Sequence, residues 1–279
     1  MRTHTGLQAH SRRSGLEPPH PAPKKWFGQH FLTAEHYARR IAEAVPARPG
    51  EPVLEIGPGA GALTVHLARR FPGMQCVERD PELLPLLRSN TAGLRLTIHC
   101  ADALDFDFTT AGFPLHVAGN LPYSVGALLI RKTLGYGNRI ASCTFMVQRE
   151  VAERIAASPG TKQNGWLTMF CRFFGTPRIL FHVPPGAFSP PPKVESSVFQ
   201  LIPDKDLERK LPYAEWEALF ALIDAGFSMR RKMLATVLRM KSIGAGIPGA
   251  FAAAGIDAKA RAEELDIGQW LRLYKEMGR

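Results

Sequence analysis

The sequence has few of the features that mark metal centres, disulfide frameworks or membrane spans. Its four cysteines include no CxxC pair, and its nine histidines include no HExxH motif. Widely spaced thiols of this kind indicate a reduced, cytoplasmic protein, so we expect no disulfide and no metal site. No run of eighteen apolar residues occurs, and the first residues hold no apolar core segment. We therefore expect neither a membrane span nor a secretory signal.

Positive charge is what the chain has in excess. The formal net charge is +10 at pH 7, and the first 40 residues alone hold seven basic and two acidic side chains. A basic surface attracts polyanions because binding releases the counterions around them. The charge favours a nucleic-acid partner, although basic proteins without one are common.

The pattern of hydrophobic runs divides the chain into three parts. Residues 1–23 are rich in Pro, Ser, His and Arg, and they are predicted to form a flexible basic arm. Residues 24–204 alternate β-rich runs with helical stretches, which predicts an α/β fold with a mainly parallel sheet covered by helices on both faces. Residues 205–279 begin in a charged segment and then show only helical patterns, which predicts a small all-α domain.

Local signals predict the individual elements. Strands are expected at 53–56, 74–77, 94–99, 115–118, 143–147 and 194–201. Helices are expected at 33–44, 62–70, 81–89, 213–225, 230–240, 247–254 and 267–277. Thr33 is predicted to cap the first of these helices, because a threonine hydroxyl can accept a hydrogen bond from a free backbone N–H.

A glycine-rich loop joins the first predicted strand to the next helix. Gly57, Gly59 and Gly61 follow the acidic residue Glu55 with the spacing GxGxG, whereas dinucleotide-binding loops run GxGxxG. Glycines at this place let the backbone turn tightly and approach a ligand at the helix N-terminus. Alone, such a loop is often only a turn.

Two carboxylates end the following strands of the predicted sheet. Glu78 follows the second strand and can accept both hydroxyls of a ribose, and Asp102 follows the third and can accept an adenine amino group. Either acid alone is typical of a solvated loop. A glycine loop and two acids at three successive strand ends predict a nucleoside cofactor.

The tetrapeptide Asn120-Leu121-Pro122-Tyr123 follows the fourth strand. The amino nitrogen of adenine is a poor nucleophile, because its lone pair is delocalised into the ring. Two acceptors that hold its N–H groups would aim the lone pair at an electrophile, and the Asn120 side-chain oxygen and the Leu121 carbonyl can supply them. Pro122 stiffens the turn, and Tyr123 can stack on the base. Outside this context the tetrapeptide would be a turn followed by a core tyrosine.

Taken together, the motifs resemble those of the ribosomal RNA adenine dimethyltransferases of the KsgA type. The resemblance covers about residues 24–279. Its motifs are KKWFGQHFL at 24–32, EIGPGAGALT at 55–64, Glu78, ADA at 101–103, NLPY at 120–123, VQREVAER at 147–154 and FSPPPKVESS at 188–197. It implies a Rossmann-like S-adenosylmethionine-dependent methyltransferase domain with a small C-terminal all-α domain that binds RNA.

The resemblance also implies roles for individual residues. The cofactor S-adenosyl-L-methionine would be bound by His30, Leu32, Gly57, Gly59, Glu78, Asp102, Ala103 and Asn120. The catalytic residues would be Asn120, Leu121, Pro122, Tyr123 and Phe188, with Phe188 presented by a Pro-rich loop so that it faces Tyr123 across a flipped adenine. The basic triplet Arg230, Arg231 and Lys232 would contact rRNA phosphates; without that role it would be a solvated helix start.

This chain departs from the family pattern at two positions. The family often has Asn where His30 stands, and Thr where Met233 stands.

The predicted function is dimethylation of the N6 amino group of two adjacent adenosines near the 3′ end of 16S rRNA, in the immature small ribosomal subunit. The protein is expected to be a cytoplasmic monomer. Three alternatives stay open. They are the 23S rRNA methyltransferase of the macrolide-resistance type, a binding-only assembly or transcription factor with the same fold, and a DNA adenine methyltransferase. The Pro-rich loop and the basic triplet favour the small-subunit enzyme, and the intact Asn120 and Tyr123 favour an enzyme over a binding factor.

Overall fold

The computed structural model describes residues 30–243 and 247–278 of the chain, so the predicted arm at 1–23 lies outside the described residues. The strands are β1 (Phe31–Leu32), β2 (Val53–Ile56), β3 (Met74–Glu78), β4 (Leu96–Cys100), β5 (Leu115–Asn120), β6 (Ile140–Gln148), β7 (Arg178–Val183), β8 (Phe188–Ser189) and β9 (Ser196–Leu201). The helices are α1 (Glu35–Ala44), α2 (Thr64–Arg70), α3 (Leu84–Asn90), α4 (Gly126–Gly135), α5 (Arg149–Ile155), α6 (Trp166–Phe174), α7 (Leu207–Lys210), α8 (Trp216–Phe227), α9 (Leu234–Met240), α10 (Ile247–Ala253) and α11 (Ile267–Glu276). In this part of the chain, no helix combines the length and apolarity that a membrane crossing requires.

Seven strands form one mixed sheet in the order β4-β3-β2-β5-β6-β9-β7. Its first five strands are parallel, and β9 runs antiparallel to both β6 and β7. From β2 the chain builds outward through β3 and β4, and then crosses to the other side to form β5. The sheet therefore has a topological switch between β2 and β5, where open α/β sheets bind their ligands.

Helices cover both faces of the sheet, because its central strands are apolar on both sides. On one face, a buried cluster includes residues of α1 and α2. On the other face, a second buried cluster includes residues of α4, α5, α6 and the C-terminal helices. The rings of Phe173 and Trp216, for example, lie 5.2 Å apart, centroid to centroid, where α6 meets α8. The α/β fold with a helical C-terminal region, predicted from the alternation of patterns, is confirmed.

A separate two-stranded ribbon, β1–β8, lies beside the main sheet. It pairs Phe31 with Ser189 and Leu32 with Phe188 in antiparallel register. Thr33 follows β1 and was wrongly predicted to cap α1. Its hydroxyl instead donates to the Ala187 carbonyl oxygen at 3.1 Å. Ala34 occupies the cap position, without a side-chain hydrogen bond.

The C-terminal region differs from its predicted elements at two points. Within the charged segment near 203–210, α7 forms because Leu207 is buried against the core. The helix predicted at 230–240 begins only at Leu234, whose backbone N–H donates to the Ala260 carbonyl at 2.8 Å. The basic triplet thus lies in the turn between α8 and α9 and does not start a helix.

Candidate active site

The site lies at the topological switch, where β2 and β5 end side by side. These strands approach so closely at Gly119 that a Cβ there would lie 2.4 Å from the Ile56 carbonyl oxygen. Only glycine avoids this clash with backbone. The close packing brings the loop after β2 and the tetrapeptide after β5 to one edge of the sheet.

The glycine loop adopts a conformation that other residues rarely take. Gly57, Gly59 and Gly61 have φ angles of +68°, +57° and +94°. The Gly57 N–H donates to the Val77 carbonyl at 3.0 Å, which ties the loop to β3. A Cβ on Gly59 would lie 3.4 Å from the Phe31 ring of the β1–β8 ribbon. The loop is therefore a backbone cradle with room for a ligand but little room for side chains.

Glu78 ends β3 and holds the cradle in place. One of its carboxylate oxygens accepts the Gly59 N–H at 2.9 Å, and the other accepts the Asp80 N–H at 2.8 Å. Burial raises the pKa of Glu78, and the backbone donors act in the opposite direction. A carboxylate oxygen has more than one lone pair, so Glu78 can also accept hydroxyls of a bound ribose.

Asp102 follows β4 and closes a tight turn. Its Oδ1 accepts the Leu104 N–H at 2.9 Å, and its Oδ2 lies 3.1 Å from Arg79 Nη1. Lys132 of α4 supports the same turn by donating to the Leu104 and Phe106 carbonyls at 2.6 Å and 2.7 Å. Asp102 is therefore fixed as a hydrogen-bond acceptor just after the end of β4.

Glu55, on β2, carries an acceptor that has no partner in the described structure. Its side chain is 1% exposed, and Oε2 accepts no hydrogen bond. Burial raises its pKa to about 8. An unsatisfied buried acceptor is costly, so a ligand that brings a donor or a positive charge to it would be favoured. The cradle, the two strand-end carboxylates and this acceptor fit a nucleoside cofactor with a cationic tail.

The tetrapeptide after β5 places polar groups next to the cradle. The Asn120 side-chain nitrogen donates to the His30 carbonyl at 3.3 Å, which leaves the amide oxygen as an acceptor. The Leu121 N–H donates to the Met146 carbonyl at 3.0 Å. Tyr123 is half-buried, and its ring centroid lies 5.7 Å from that of His30.

One cavity of about 890 Å³ joins these groups. Of the predicted site residues, the structure brings the following to its wall: His30, Leu32, Gly57, Gly59, Glu78, Asp102, Ala103, Asn120, Leu121, Pro122 and Tyr123. The cavity is large enough for a nucleoside-sized ligand. Residues predicted separately at successive strand ends therefore line the same cavity.

Phe188 is not brought to this cavity. Its side chain is 4% exposed and packs in the cluster that contains Leu32, its partner in the β1–β8 ribbon. The expected exposure of Phe188 is therefore wrong, and its place opposite Tyr123 across a flipped adenine stays a prediction. Phe188 and Ser189, just before the prolines, form β8, and the Phe188 ring is buried there.

The first residue of the predicted RNA-binding triplet makes contacts with other parts of the protein. The Arg230 guanidinium donates to the Lys162 and Asn164 carbonyls at 2.6 Å and 2.9 Å, and it lies 3.7 Å from Glu263. It therefore joins the loop before α6 to the C-terminal region. Arg230, Arg231 and Lys232 are all exposed, so the contact of the triplet with rRNA phosphates stays a prediction.

Two groups at the site escaped the sequence analysis. Glu55 was noted only as preceding the glycines, although a carboxylate inside the apolar run of β2 is itself a signal of a functional role. Ser196 lies beside the tetrapeptide, and its hydroxyl is 2.8 Å from the Tyr123 hydroxyl. No local sequence pattern predicts that contact, because the contact depends on the topology of the sheet.

Comparison with known proteins gives a consistent result. The family model described as "Ribosomal RNA adenine dimethylase" matches residues 22–278. A ribosomal RNA small subunit methyltransferase A from Acinetobacter baylyi is 41% identical over 265 residues, which cover 94% of each chain. A relative of the same name from Thiobacillus denitrificans is 42% identical over 249 residues, or 89% of this chain and 95% of the relative.

Two solved structures share the architecture. A dimethyladenosine transferase from Plasmodium falciparum superposes with a TM-score of 0.76 at 22% identity, over 88% of this chain and 96% of the other. At that identity the likeness concerns the fold. The 23S rRNA methyltransferase ErmE superposes with a TM-score of 0.69 at 26% identity, over 89% and 100% of the two chains.

Proposed function

Because this chain belongs to the ribosomal RNA adenine dimethylase family, we propose that it dimethylates the N6 amino group of two adjacent adenosines near the 3′ end of 16S rRNA. It is a methyltransferase, and its cofactor is S-adenosyl-L-methionine. The proposed substrate is the RNA within the immature small ribosomal subunit. The protein acts there as a cytoplasmic monomer during ribosome biogenesis.

One observation carries the proposal most directly. The acceptors of Asn120 and Leu121 and the ring of Tyr123 share a cavity with the glycine cradle, Glu78 and Asp102. A nucleoside cofactor and an adenine amino group can therefore meet in one space. Proximity of this kind is the main contribution that a methyltransferase makes, since the reactive methyl group belongs to the cofactor.

The cofactor would be held by residues from the three strand ends and the ribbon. Glu78 binds the ribose hydroxyls, Asp102 and Ala103 bind the adenine, and Gly57 and Gly59 admit the amino-acid tail to the cradle. Glu55 accepts a hydrogen bond from the cationic part of that tail. His30 and Leu32 close the cavity from the ribbon side. When bound, the cofactor supplies a sulfonium methyl group as the electrophile.

The tetrapeptide would orient the target amine. The Asn120 side-chain oxygen and the Leu121 carbonyl would accept the N–H groups of the amine, two before the first transfer and one before the second, and so direct its lone pair toward the methyl group. The N–C bond would form as the methyl–sulfur bond breaks, which leaves a neutral thioether, and the extra proton of the amine would pass to water. Tyr123 stacks on the extruded base, which is worth about 1–3 kcal/mol per base. Extrusion is required because stacking or pairing otherwise buries the amino group.

Contact with the ribosome would fall to basic residues outside the cavity. Arg231 and Lys232 in the turn between α8 and α9 are exposed and can approach phosphates. We assign catalysis to residues 24–204 and subunit recognition mainly to the helical region 205–279. The first 23 residues add basic charge to the sequence.

Methyl transfer from labelled S-adenosyl-L-methionine to undermethylated small subunits tests the proposal. Mapping should find dimethyladenosine at two adjacent positions near the 3′ end of 16S rRNA. Small subunits that already carry the modification serve as the matched control and should accept almost no label. Label confined to 23S rRNA would favour the large-subunit activity, and binding without transfer would favour an assembly factor.

A further inference from the structure

Ser196, the first residue of β9, contacts the tetrapeptide from across the sheet. Its hydroxyl oxygen lies 2.8 Å from the hydroxyl oxygen of Tyr123. We propose that Ser196 is a positioning residue that fixes the orientation of the Tyr123 ring for the incoming adenine. This rests on the function proposed above, in which Tyr123 stacks on the base.

The topology of the sheet explains how a serine from β9 reaches the active edge. The parallel strands β2, β3, β4, β5 and β6 end at this edge. Because β9 is antiparallel to β6, it begins there, and its first residue Ser196 pairs with Gln148, the last residue of β6. Ser196 also pairs with Val183, the last residue of β7. Its backbone is therefore fixed by strands on both sides.

The residue before Ser196 is anchored as well. The Glu195 carbonyl accepts the Arg149 N–H at 2.9 Å, and the Glu195 carboxylate lies 2.6 Å from Arg149 Nη1. A side chain extending from so constrained a backbone has little freedom to move. Ser196 can thus act as a fixed hydrogen-bond partner for Tyr123.

Tyr123 needs such a fixed point, because it lies in the turn after β5 and not in a strand. Tyr123 is half-buried, and the centroid of its ring lies 5.7 Å from the centroid of the His30 ring. Removal of the Ser196 hydroxyl would leave the phenol without this partner and widen the range of ring orientations. Stacking on a base requires the tyrosine ring to keep within a narrow range of orientations.

The chain offers a matched control in the next residue. Ser197 is also 0% exposed and also in β9, but successive side chains in a strand point to opposite faces. Its hydroxyl lies 2.8 Å from His182 Nδ1, away from the tetrapeptide. Ser196→Ala and Ser197→Ala thus remove the same atom from equally buried sites, and only one touches Tyr123.

A double-mutant cycle tests the contact with Ser196→Ala, Tyr123→Phe and the double variant. Each single variant should lower kcat/KM on undermethylated small subunits about three- to tenfold, as expected for one hydrogen bond. The double variant should lose no more than either single one, because both remove the same contact. The calorimetric Kd for S-adenosyl-L-methionine should stay within about twofold of wild type throughout. Ser197→Ala should retain wild-type transfer.

Additive losses in the cycle, or an equal loss in Ser197→Ala, would overturn the proposal. If Ser196→Ala does not fold, Tyr123→Phe alone tests the contact from the other side, and unchanged transfer would sink the idea. Inactivity of the wild-type protein on these subunits would instead count against the proposed function.

An absorbance titration tests the positioning role without methyl transfer. Burial raises the pKa of Tyr123, and the Ser196 hydroxyl acts in the opposite direction. Ser196→Ala should therefore shift the ionisation of one tyrosine to higher pH, and the shift should vanish in the Tyr123→Phe background. The same titration in Ser197→Ala should match wild type, and identical curves for both serine variants would refute the contact.

Discussion

Replacing Glu55 by Gln should make the protein without cofactor more stable at alkaline pH. Glu55 is 1% exposed on β2, and burial raises its pKa to about 8. The charge of Glu78 adds to this rise. The folded protein therefore keeps Glu55 protonated at neutral pH, whereas the unfolded chain ionises it.

The size of the effect follows from the two pKa values. Below the unfolded value of 4.5 both states bind the proton, so this group does not change the free energy of unfolding. As the pH rises from 4.5 to about 8, only the unfolded state releases the proton, and the folded state loses relative stability. The difference between the two values corresponds to at most about 5 kcal/mol. Glutamine has nearly the same shape and does not ionise.

Urea unfolding at pH 5 to 9, followed by circular dichroism without cofactor, measures this difference. The Gln variant should be close to wild type at the acidic end and several kcal/mol more stable above pH 8. Glu217→Gln changes an exposed glutamate of α8 and should follow wild type at every pH. Parallel stability curves for wild type and Glu55→Gln would refute the account of a buried, protonated carboxyl group.

Five further substitutions probe the site and its scaffold. Asn120→Ala should lower kcat at least about 100-fold with little change in the Kd for S-adenosyl-L-methionine, since it removes an acceptor used in the reaction; unchanged turnover would refute its role. Gly119→Ala should destabilise the fold by more than about 2 kcal/mol in thermal unfolding, because its Cβ would meet backbone of β2 at 2.4 Å. Gly135→Ala in α4 meets nothing within 4 Å and should stabilise by up to about 1 kcal/mol. Arg230→Met should lower the free energy of unfolding in urea by about 1–3 kcal/mol. Arg231→Met should leave that free energy within about 0.5 kcal/mol of the wild-type value.

The parts of the structure that depend on local pattern could be predicted from the sequence. The strand Val53–Ile56 was predicted with the bounds it has, because Pro and Gly delimit a short apolar run. The convergence of Gly57, Glu78 and Asp102 on one edge followed from the rule that parallel strands end together. These inferences need only periodicity and chain order.

The remaining features depend on contacts between distant parts of the chain. Thr33 is a good capping residue, but its backbone N–H and its hydroxyl both donate to the Ala187 carbonyl, and Ala34 occupies the cap position. Phe188 is buried where β8 pairs with β1, and Arg230 donates to the carbonyls of a loop distant in sequence. Ser196 reaches the site only because β9 is antiparallel. None of these partners can be identified from spacing alone.

The β1–β8 ribbon has a consequence for the order in which the protein becomes functional during synthesis. It closes one side of the cavity, and its contacts include a hydrogen bond between His30 and the Pro190 carbonyl, 160 residues apart in the chain. Non-local contacts of this kind form late, since a long loop must close first. A nascent chain that has just passed Tyr123 already contains the glycine cradle and the tetrapeptide, but half of the ribbon has not yet been made. Capture of the cofactor is therefore expected only after Pro190 has been made, when about two thirds of the 279 residues are complete.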